Sequence, residues 1–422
     1  MAETTPPPLS AKRAATISAF ALGVVLLDMI GLGLILPVLP PLIEDVGGIG
    51  LDAAAQVGGF MFAVFSLAQF LCAPALGALS DKIGRRPLLL VAVGGLAIDY
   101  VLHALAPSLF WLFLGRLIAG ICGSSYVVAN ACLADVTPPE KRAKAFGLIG
   151  AALGLGFVLG PALGGLLGEF GPRVPFWVAA ALSAANFLFG LVVLPETLPA
   201  DQRRPFLWRE ANPLGVLLVF RRYPGVLPWA LVTALYFVGS SIYPAIWPFW
   251  GMAKFDWTAT TTGLTLAVAG LGMALLQGLG TGPAVARWGE RPLALVGLAL
   301  SSLSCLAFGL ATATEIVLVL LVVHAFEGFA HPSLSALMSR AVPANAQGAL
   351  QGGVAALQSL SMLVGTVLFT QVFGYFLTPE APVQSPDVAF FMAAAVVGLG
   401  LLLFVATNPE GKVPEPDPTP PA

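Results

Sequence analysis

The chain has 422 residues, 58% of them hydrophobic and 10% charged, against roughly 25% charged in an ordinary soluble domain. Its mean hydropathy is +0.89 and its formal net charge is −2. That composition excludes a soluble enzyme, a nucleic-acid binder, a disulfide-stapled domain and a disordered chain, and it implies a polytopic membrane protein.

A helix needs about 20 apolar residues to cross a bilayer, so at roughly 35 residues per helix and loop the chain holds about twelve. Residues 1–14 form a polar, Pro-rich tail. The apolar run after it is too long for a signal-peptide core and contains Asp28, so it reads as a retained first span. Helices are expected over about 15–38, 57–79, 88–106, 109–132, 144–168, 175–194, 227–250, 259–284, 292–312, 315–338, 348–374 and 388–407. The longest loop, 195–226, carries five arginines and separates an N-terminal six-helix bundle (15–194) from a C-terminal one (227–407). The tail 408–422 is Pro-rich and reads as solvated. Cys72, Cys122, Cys132 and Cys305 lie in apolar segments without C-x-x-C spacing and read as core residues, so no metal site is expected.

With the N-terminus inside, 17 of the 20 lysines and arginines fall in inner segments. Only Arg173 and Lys254 fall outside, and Arg116 lies within a span. The positive-inside rule therefore places both termini in the cytoplasm.

The two blocks repeat at an offset of 205. GALSDKIGRRP at 77–87 lies over GPAVARWGERP at 282–292, sharing Gly77/Gly282, Gly84/Gly289, Arg86/Arg291 and Pro87/Pro292. PPEKRAKAFG at 138–147 lies over PANAQGALQG at 343–352. A duplicated twelve-helix transporter explains both, with a substrate cavity between the halves near the bilayer midplane. In the first loop, glycines permit a tight turn and the cations hold the inner surface, while Asp81 can pair with Arg85 and Arg86 or face a helix N-terminus. In the fifth helix, Gly150/Gly154, Gly156/Gly160, Gly160/Gly164 and Gly164/Gly168 are spaced at i, i+4, a stripe that admits another backbone, and Pro161 removes one helical hydrogen bond.

GALSDKIGRRP resembles the signature between the second and third helices of the major facilitator superfamily. LLDMIGLGLILPVLP at 26–40, AIDYVLHALAP at 97–107, LGRLIAGICGSS at 114–125 and GLGFVLGPALGG at 154–165 resemble the first, third, fourth and fifth helices of its proton-coupled drug exporters, and within them of the tetracycline exporter group. FDWTATTTGLTLAVAGLGM at 255–273 and QGALQG at 347–352 extend the resemblance through the second half. It implies an all-α membrane fold, twelve helices in two pseudo-symmetric six-helix bundles. It also implies that Asp81 meets the start of the eleventh helix near Gly348, and that Arg85 meets Asp135, locking an inner gate. The plainer alternative for these charges is a turn with topogenic cations.

Intramembrane charge costs at least about 2.5–3.5 kcal/mol per group and usually marks function. Asp28, Asp99, Arg116, His324 and Glu327 lie near mid-span; His103 and His331 lie nearer span ends. Asp99 and Arg116 flank the turn near Pro107–Ser108 at equal distance and so share a depth of roughly 13 Å in an antiparallel hairpin. They form either a proton- or substrate-exchanging pair or a permanent ion pair, with His103, one turn from Asp99, either modulating that site or hydrated near the interface. Asp28, with Gly31 and Gly33 leaving space beside it, couples protonation to access or attracts a cation, or else bonds to a neighbouring helix.

The tetracycline exporter pattern has a histidine in the eighth helix and an acid in the ninth, but Met273 and Ser301 align there. The tenth helix instead carries His324, Glu327 and His331 at i, i+3 and i+7, one helical face that could supply protonation in the second half, or whose members satisfy each other structurally. Tyr236, Ser240, Tyr243 and Trp247 form a stripe on the seventh helix which, with Gln277, Gln351 and Gln358, suits a planar substrate, although such stripes also serve packing.

The expected function is secondary export of a hydrophobic or amphiphilic small molecule driven by inward proton flow, by a monomer in lipid. No G-x-x-x-x-G-K-[ST] loop is present, so neither ATP nor another cofactor is implied. A metabolite or nutrient symporter or facilitator is the alternative; a receptor gives no reason for burying so many charges.

Overall fold

The computed structural model describes residues 11–123, 125–138, 141–206, 212, 215–343 and 346–407. The tails 1–10 and 408–422, with Lys412, and Arg209 of the central loop lie outside the described residues. Among the described residues, twelve helices are long and apolar enough to cross a membrane. They are α1 (Thr16–Ile35), α2 (Leu51–Ile83), α3 (Arg85–Leu105), α4 (Leu109–Val136), α5 (Gly147–Gly168) and α6 (Val174–Val193). The second six are α7 (Leu227–Phe255), α8 (Ala259–Trp288), α9 (Glu290–Leu310), α10 (Thr314–Arg340), α11 (Gln347–Leu377) and α12 (Val388–Ala406). Large apolar side chains such as Val91, Phe110 and Val192 point outward, as a bundle solvated by lipid requires.

The repeat extends to where helices break. The expected first helix stops at Ile35 and resumes as a short helix, Leu39–Gly47; α7 breaks between Ser240 and Ile242, and Ile35 and Ser240 are 205 apart. In α4 the pieces are Leu109–Cys122 and Ser125–Val136. Its counterpart α10 passes through a 3₁₀ segment, Ala325–Phe329, and Gly123 and Gly328 are again 205 apart. A π segment, Leu276–Gly280, interrupts α8. Gly84 and Gly289, another repeat pair, precede α3 and α9 with φ of 108° and 80°, a backbone region that favours glycine.

The end of the bundle that carries the α2–α3, α4–α5, α8–α9 and α10–α11 loops is here called the basic end. There, each half has its own apolar core: Phe20, Leu89 and Leu133 belong to one, Trp229, Leu334 and Phe404 to the other. At the far end a single core runs through both halves, from Leu34, Ile43 and Phe176 to Trp250, Phe308 and Phe373. The halves also touch there through glycines. A Cβ on Gly165 would stand 3.0 Å from Thr260 Cα, and one on Gly374 would stand 2.6 Å from Asp52 O. At the basic end, nothing lies within 4 Å of where a Cβ would sit on Gly147, Gly150, Gly282 or Gly348. The halves are closed at the far end and parted at the basic end.

The stripe on α5 serves two neighbours. Gly156, Gly160 and Gly164 receive the backbone of α1: a Cβ on Gly160 would be 2.7 Å from Ile30 O and 2.8 Å from Gly33 Cα. Gly165 and Pro161 face α8 of the other half, where a Cβ on Gly263 would meet Gly165 Cα at 3.0 Å. Gly150 and Gly154, nearer the basic end, meet little.

Candidate functional site

Helices α1 to α4 enclose a cavity of about 160 Å³ whose polar lining is Asp28, Gln69, Asp99, Tyr100 and Arg116. This cavity lies inside the N-terminal half rather than between the halves, because α1, α2, α3 and α4 all contribute to its wall while the far ends of the two halves pack together. The break in α4 restarts the helix at Ser125, whose buried hydroxyl donates to Asp28 Oδ2. The space expected beside Asp28 is occupied: the Tyr100 phenol sits over Gly31, and the Pro161 ring sits over Gly33.

Asp99, His103 and Arg116 form a closed triad, with Asp99 and His103 fully buried and Arg116 at 3% exposure. Arg116 Nη2 donates to Asp99 Oδ2 at 3.2 Å, and Arg116 Nε donates to His103 Nε2 at 3.1 Å. A guanidinium has no acceptor, so His103 Nε2 must accept and the imidazole proton sits on Nδ1. That atom lies 3.0 Å from Asp99 O and 2.9 Å from Asp99 Oδ1. The expectation of a hydrated His103 is corrected: Phe176 of α6 stacks on its ring at 5.2 Å and seals it from water. Gly115 makes the triad possible, since a Cβ there would stand 2.7 Å from Asp99 Oδ1. The equal depth of Asp99 and Arg116 is thus a face-to-face pairing, and its charge is internally neutralised. Asp28 differs. Its partner is a hydroxyl, and no cation pairs with it among the described residues. A carboxylate of that kind, lining a cavity, can take up a proton or a ligand cation.

In the C-terminal half, Glu327 is 2% exposed and sits in the 3₁₀ segment of α10. His324 Nδ1 is 3.4 Å from its Oε2, and the Ser301 hydroxyl of α9 lies against its carboxyl. His331 does not join them; its ring packs on Phe237 at 5.1 Å. The reason is helical geometry. A 3₁₀ turn advances about 120° per residue instead of about 100°, so five such residues rotate the remainder of the helix by roughly 100°. The single face expected for all three residues is therefore lost.

The aromatic wall is also corrected. Tyr243 packs at a tilt against His324 with ring centroids 4.4 Å apart, and the Tyr236 hydroxyl lies beside Ser240. Trp247, in edge contact with Tyr243 at 6.2 Å, is buried in a packed cluster with Trp250, Trp257 and Phe308, and its Nε1 donates to Thr265 at 3.0 Å. It is core. Gln277 and Gln351 are exposed and Gln358 is half-buried, so the amides are accessible but do not complete a wall with Trp247.

At the basic end, Arg85 pairs with Asp81 and reaches Asp135 Oδ2 at 3.3 Å. Glu196, which no sequence motif singles out, caps this cluster: its Oε1 accepts from the backbone of Arg85 at 2.8 Å and of Thr197 and Leu198 at 3.0 Å. Thr197 Oγ1 donates to Asp135 Oδ2 at 3.0 Å, and Arg86 Nη2 donates to Leu191 O at 2.8 Å. Gly77 sits against Val127, where a Cβ would make ordinary contact at 3.5 Å. The expected meeting of Asp81 with α11 near Gly348 is not formed, because the halves are parted at this end. Adding 205 to Arg85 and Asp135 gives Glu290 and Arg340, and these too form an ion pair, with the signs reversed. Likewise Arg86 and Arg291 each donate to a carbonyl at the end of the sixth helix of their half, Leu191 O and Thr407 O. The repeat offset is the sequence signal that points to the second clasp.

The two cations on the opposite face are both neutralised. Arg173 pairs with Asp45 at 3.3 Å and donates to Ala104 O and Ala106 O. Lys254 pairs with Asp387 at 2.7 Å and donates to Gly309 O. Between the halves, Glu169 at the end of α5 accepts from the first turn of α8, with Thr260 N at 3.3 Å. Hydrogen bonds from Thr260 and Thr258 hold its carboxyl below the ordinary value of 4.5. A lowered value means that the latch is intact above that range and weakens as pH falls through the lowered value. The far-end distance between α5 and α8, measured by spin labels in detergent, is expected to be constant at neutral pH and to lengthen in acid. Glu169→Gln should remove that pH dependence; an unchanged profile would show that the latch does not report on Glu169.

A family model described as Major Facilitator Superfamily matches residues 21–245 and 229–422. The class C tetracycline resistance protein of Escherichia coli is 40% identical over 83% of this chain and 88% of its own length. The class G protein of Vibrio anguillarum is 37% identical over 84% of this chain and 89% of its own length. Among solved structures, the human organic anion transporter MFSD10 (TETRAN) superposes with a TM-score of 0.67 at 27% identity, covering 95% of this chain and 100% of that one. The nucleoside transporter NupG superposes with a TM-score of 0.77 at 14% identity, covering 92% and 98%, which speaks for the fold alone. These relatives are transporters and resistance proteins rather than enzymes. On these matches the chain belongs to the Major Facilitator Superfamily and is similar within it to the bacterial tetracycline resistance proteins.

Proposed function

We propose that the protein is a proton-coupled exporter of hydrophobic or amphiphilic small molecules, acting as a monomer in the bacterial inner membrane with both termini in the cytoplasm. The observation that carries this reading is Asp28: a carboxylate lining a membrane-embedded cavity, opposed by a hydroxyl rather than a cation. Protons are the only coupling ion that the reading needs, and no cofactor enters it. Positive-inside asymmetry makes the basic end cytoplasmic, so the parted halves face the cytoplasm and would admit substrate from there. Export then results as the two halves rock and the basic end closes. Similarity to tetracycline resistance proteins supports the amphiphilic substrate class. Met273 and Ser301, where that group carries a histidine and an acid, leave the compound itself open.

The test is proton release by purified protein on addition of each compound in a panel that includes tetracycline, with transport into everted vesicles measured in parallel. A transported compound is expected to release protons from the wild type. Asp28→Asn is expected to lower coupled transport roughly tenfold or more, as loss of a charged hydrogen-bonding group of about 1.5–3 kcal/mol implies. Transport that persists at full rate without a pH gradient would reject the coupling.

A further inference from the structure

The internal repeat allows the two halves to be compared site by site. Adding 205 to Leu96, Asp99 and Tyr100 of α3 gives Ser301, Ser304 and Cys305 of α9. Adding it to Ala119 and Cys122 of α4 gives His324 and Glu327 of α10. The N-terminal cavity is lined by Leu96, Asp99, Tyr100 and Ala119. The polar groups of the C-terminal half therefore stand where that half would have its own copy of the cavity, with the acid carried by the fourth-type helix instead of the third.

Several features show that this place is a site rather than packing. Glu327 lies on a stretch whose backbone departs from the α-helix, opposite the π segment of α8; Gln277 of that segment comes within 3.4 Å of where a Cβ would sit on Gly328. Irregular turns of this kind gather at functional positions. The carboxyl is enclosed, and its surroundings are polar yet sparsely bonded. Among the described residues, Glu327 Oε2, His324 Nδ1 and Ser304 Oγ are buried without a hydrogen-bond partner. Burying so many unpartnered groups is costly unless a mobile species satisfies them in part of the cycle.

The groups facing Glu327 are few. Its own helix brings His324, helix α9 brings Ser301 and the Cys305 thiol, and helix α7 brings the phenols of Tyr236 and Tyr243. Helix α8 brings Met273 and Gln277 near Gly328, neither of them titratable. No lysine, arginine or aspartate pairs with Glu327 among the described residues. His324 is thus the one imidazole that faces it among the described residues.

We propose that Glu327, positioned by His324 and Ser301, is a second proton-binding site in the C-terminal half, the repeat-equivalent of the Asp28–Asp99 region. Ser301 of the neighbouring α9 lies against the Glu327 carboxyl. His331 takes no part. The step is a simple exchange: the Glu327 carboxylate takes a proton from water and returns it to water, and no electron moves. This inference rests on the proton-coupled reading for its use in transport, but not for its existence.

The test is pH-difference infrared spectroscopy of the purified, full-length protein in detergent, without substrate. Wild type is expected to show a carboxyl C=O band that titrates and that shifts on ¹³C labelling of glutamate, which assigns it without any mutation. The band should be lost in Glu327→Gln, displaced in frequency but present in Glu327→Asp, moved in titration midpoint in His324→Ala, and untouched in His331→Ala. Absence of any titrating glutamate band in labelled wild type would overturn the proposal, as would its survival in Glu327→Gln. In proteoliposomes with tetracycline as probe, fewer protons per transported molecule in Glu327→Gln than in wild type would support its use in coupling. If wild-type protein moved no protons with any compound, the exporter reading would fail while the infrared result still decided the site.

Discussion

Arg116→Ala is expected to be the most damaging single change in the N-terminal half, lowering stability by about 3–5 kcal/mol. The guanidinium holds two buried partners at once, Asp99 at 3.2 Å and His103 at 3.1 Å, and both are closed off from water. Its removal leaves a carboxylate without a counter-charge and an imidazole nitrogen without a donor. The triad also predicts non-additivity. Asp99→Ala with Arg116→Ala should cost less than the two single changes together, because the double variant leaves no uncompensated charge. Thermal unfolding in detergent measures all three. If Arg116→Ala melted with the wild type, Asp99 could not be an isolated buried anion in its absence.

The second large effect is expected at Gly160. Valine there would drive its Cβ to within 2.7 Å of Ile30 O and 2.8 Å of Gly33 Cα, and both are backbone atoms that cannot turn aside. Helices α1 and α5 must separate, which costs about 1–3 kcal/mol or more and displaces Asp28 two residues before Ile30. Both stability and transport should fall. Gly150→Val is the contrasting variant: nothing lies within 4 Å of its Cβ while the basic end is parted, so stability should stay within about 0.5 kcal/mol of wild type. Equal destabilisation by the two valines, read as melting temperature, would contradict the packing described for α5.

Much of this architecture is legible in the chain, and the features that are not share a cause. The spans and the repeat can be read because hydropathy and glycine spacing are local: Gly84 and Gly289 match because each begins a helix at positive φ. The shared depth of Asp99 and Arg116 can be read by counting from their turn. Their facing cannot, nor the burial of His103, because that depends on Phe176, which lies 73 residues further along the chain. Uniform helical rotation groups His331 with Glu327, and the 3₁₀ segment breaks that rotation. Trp247 is core because Trp250, Trp257 and Phe308 close over it, and helical spacing alone does not show those partners. Glu196 is invisible to spacing because a lone acid after a span looks like any loop residue until the chain folds it beneath α3.

The reversed signs of the two basic-end clasps bear on how a duplicated protein closes. In two identical halves related by a two-fold axis, each charge would approach its own copy as the end narrows. Arginine would then advance on arginine and aspartate on aspartate, within the roughly 8–10 Å over which salt fails to screen them. Here Arg85 has Glu290 as its counterpart, and Asp135 has Arg340. The exchange leaves each clasp intact within its half while turning mutual repulsion at the mouth into attraction. The two halves thus present complementary charges at equivalent places of the repeat.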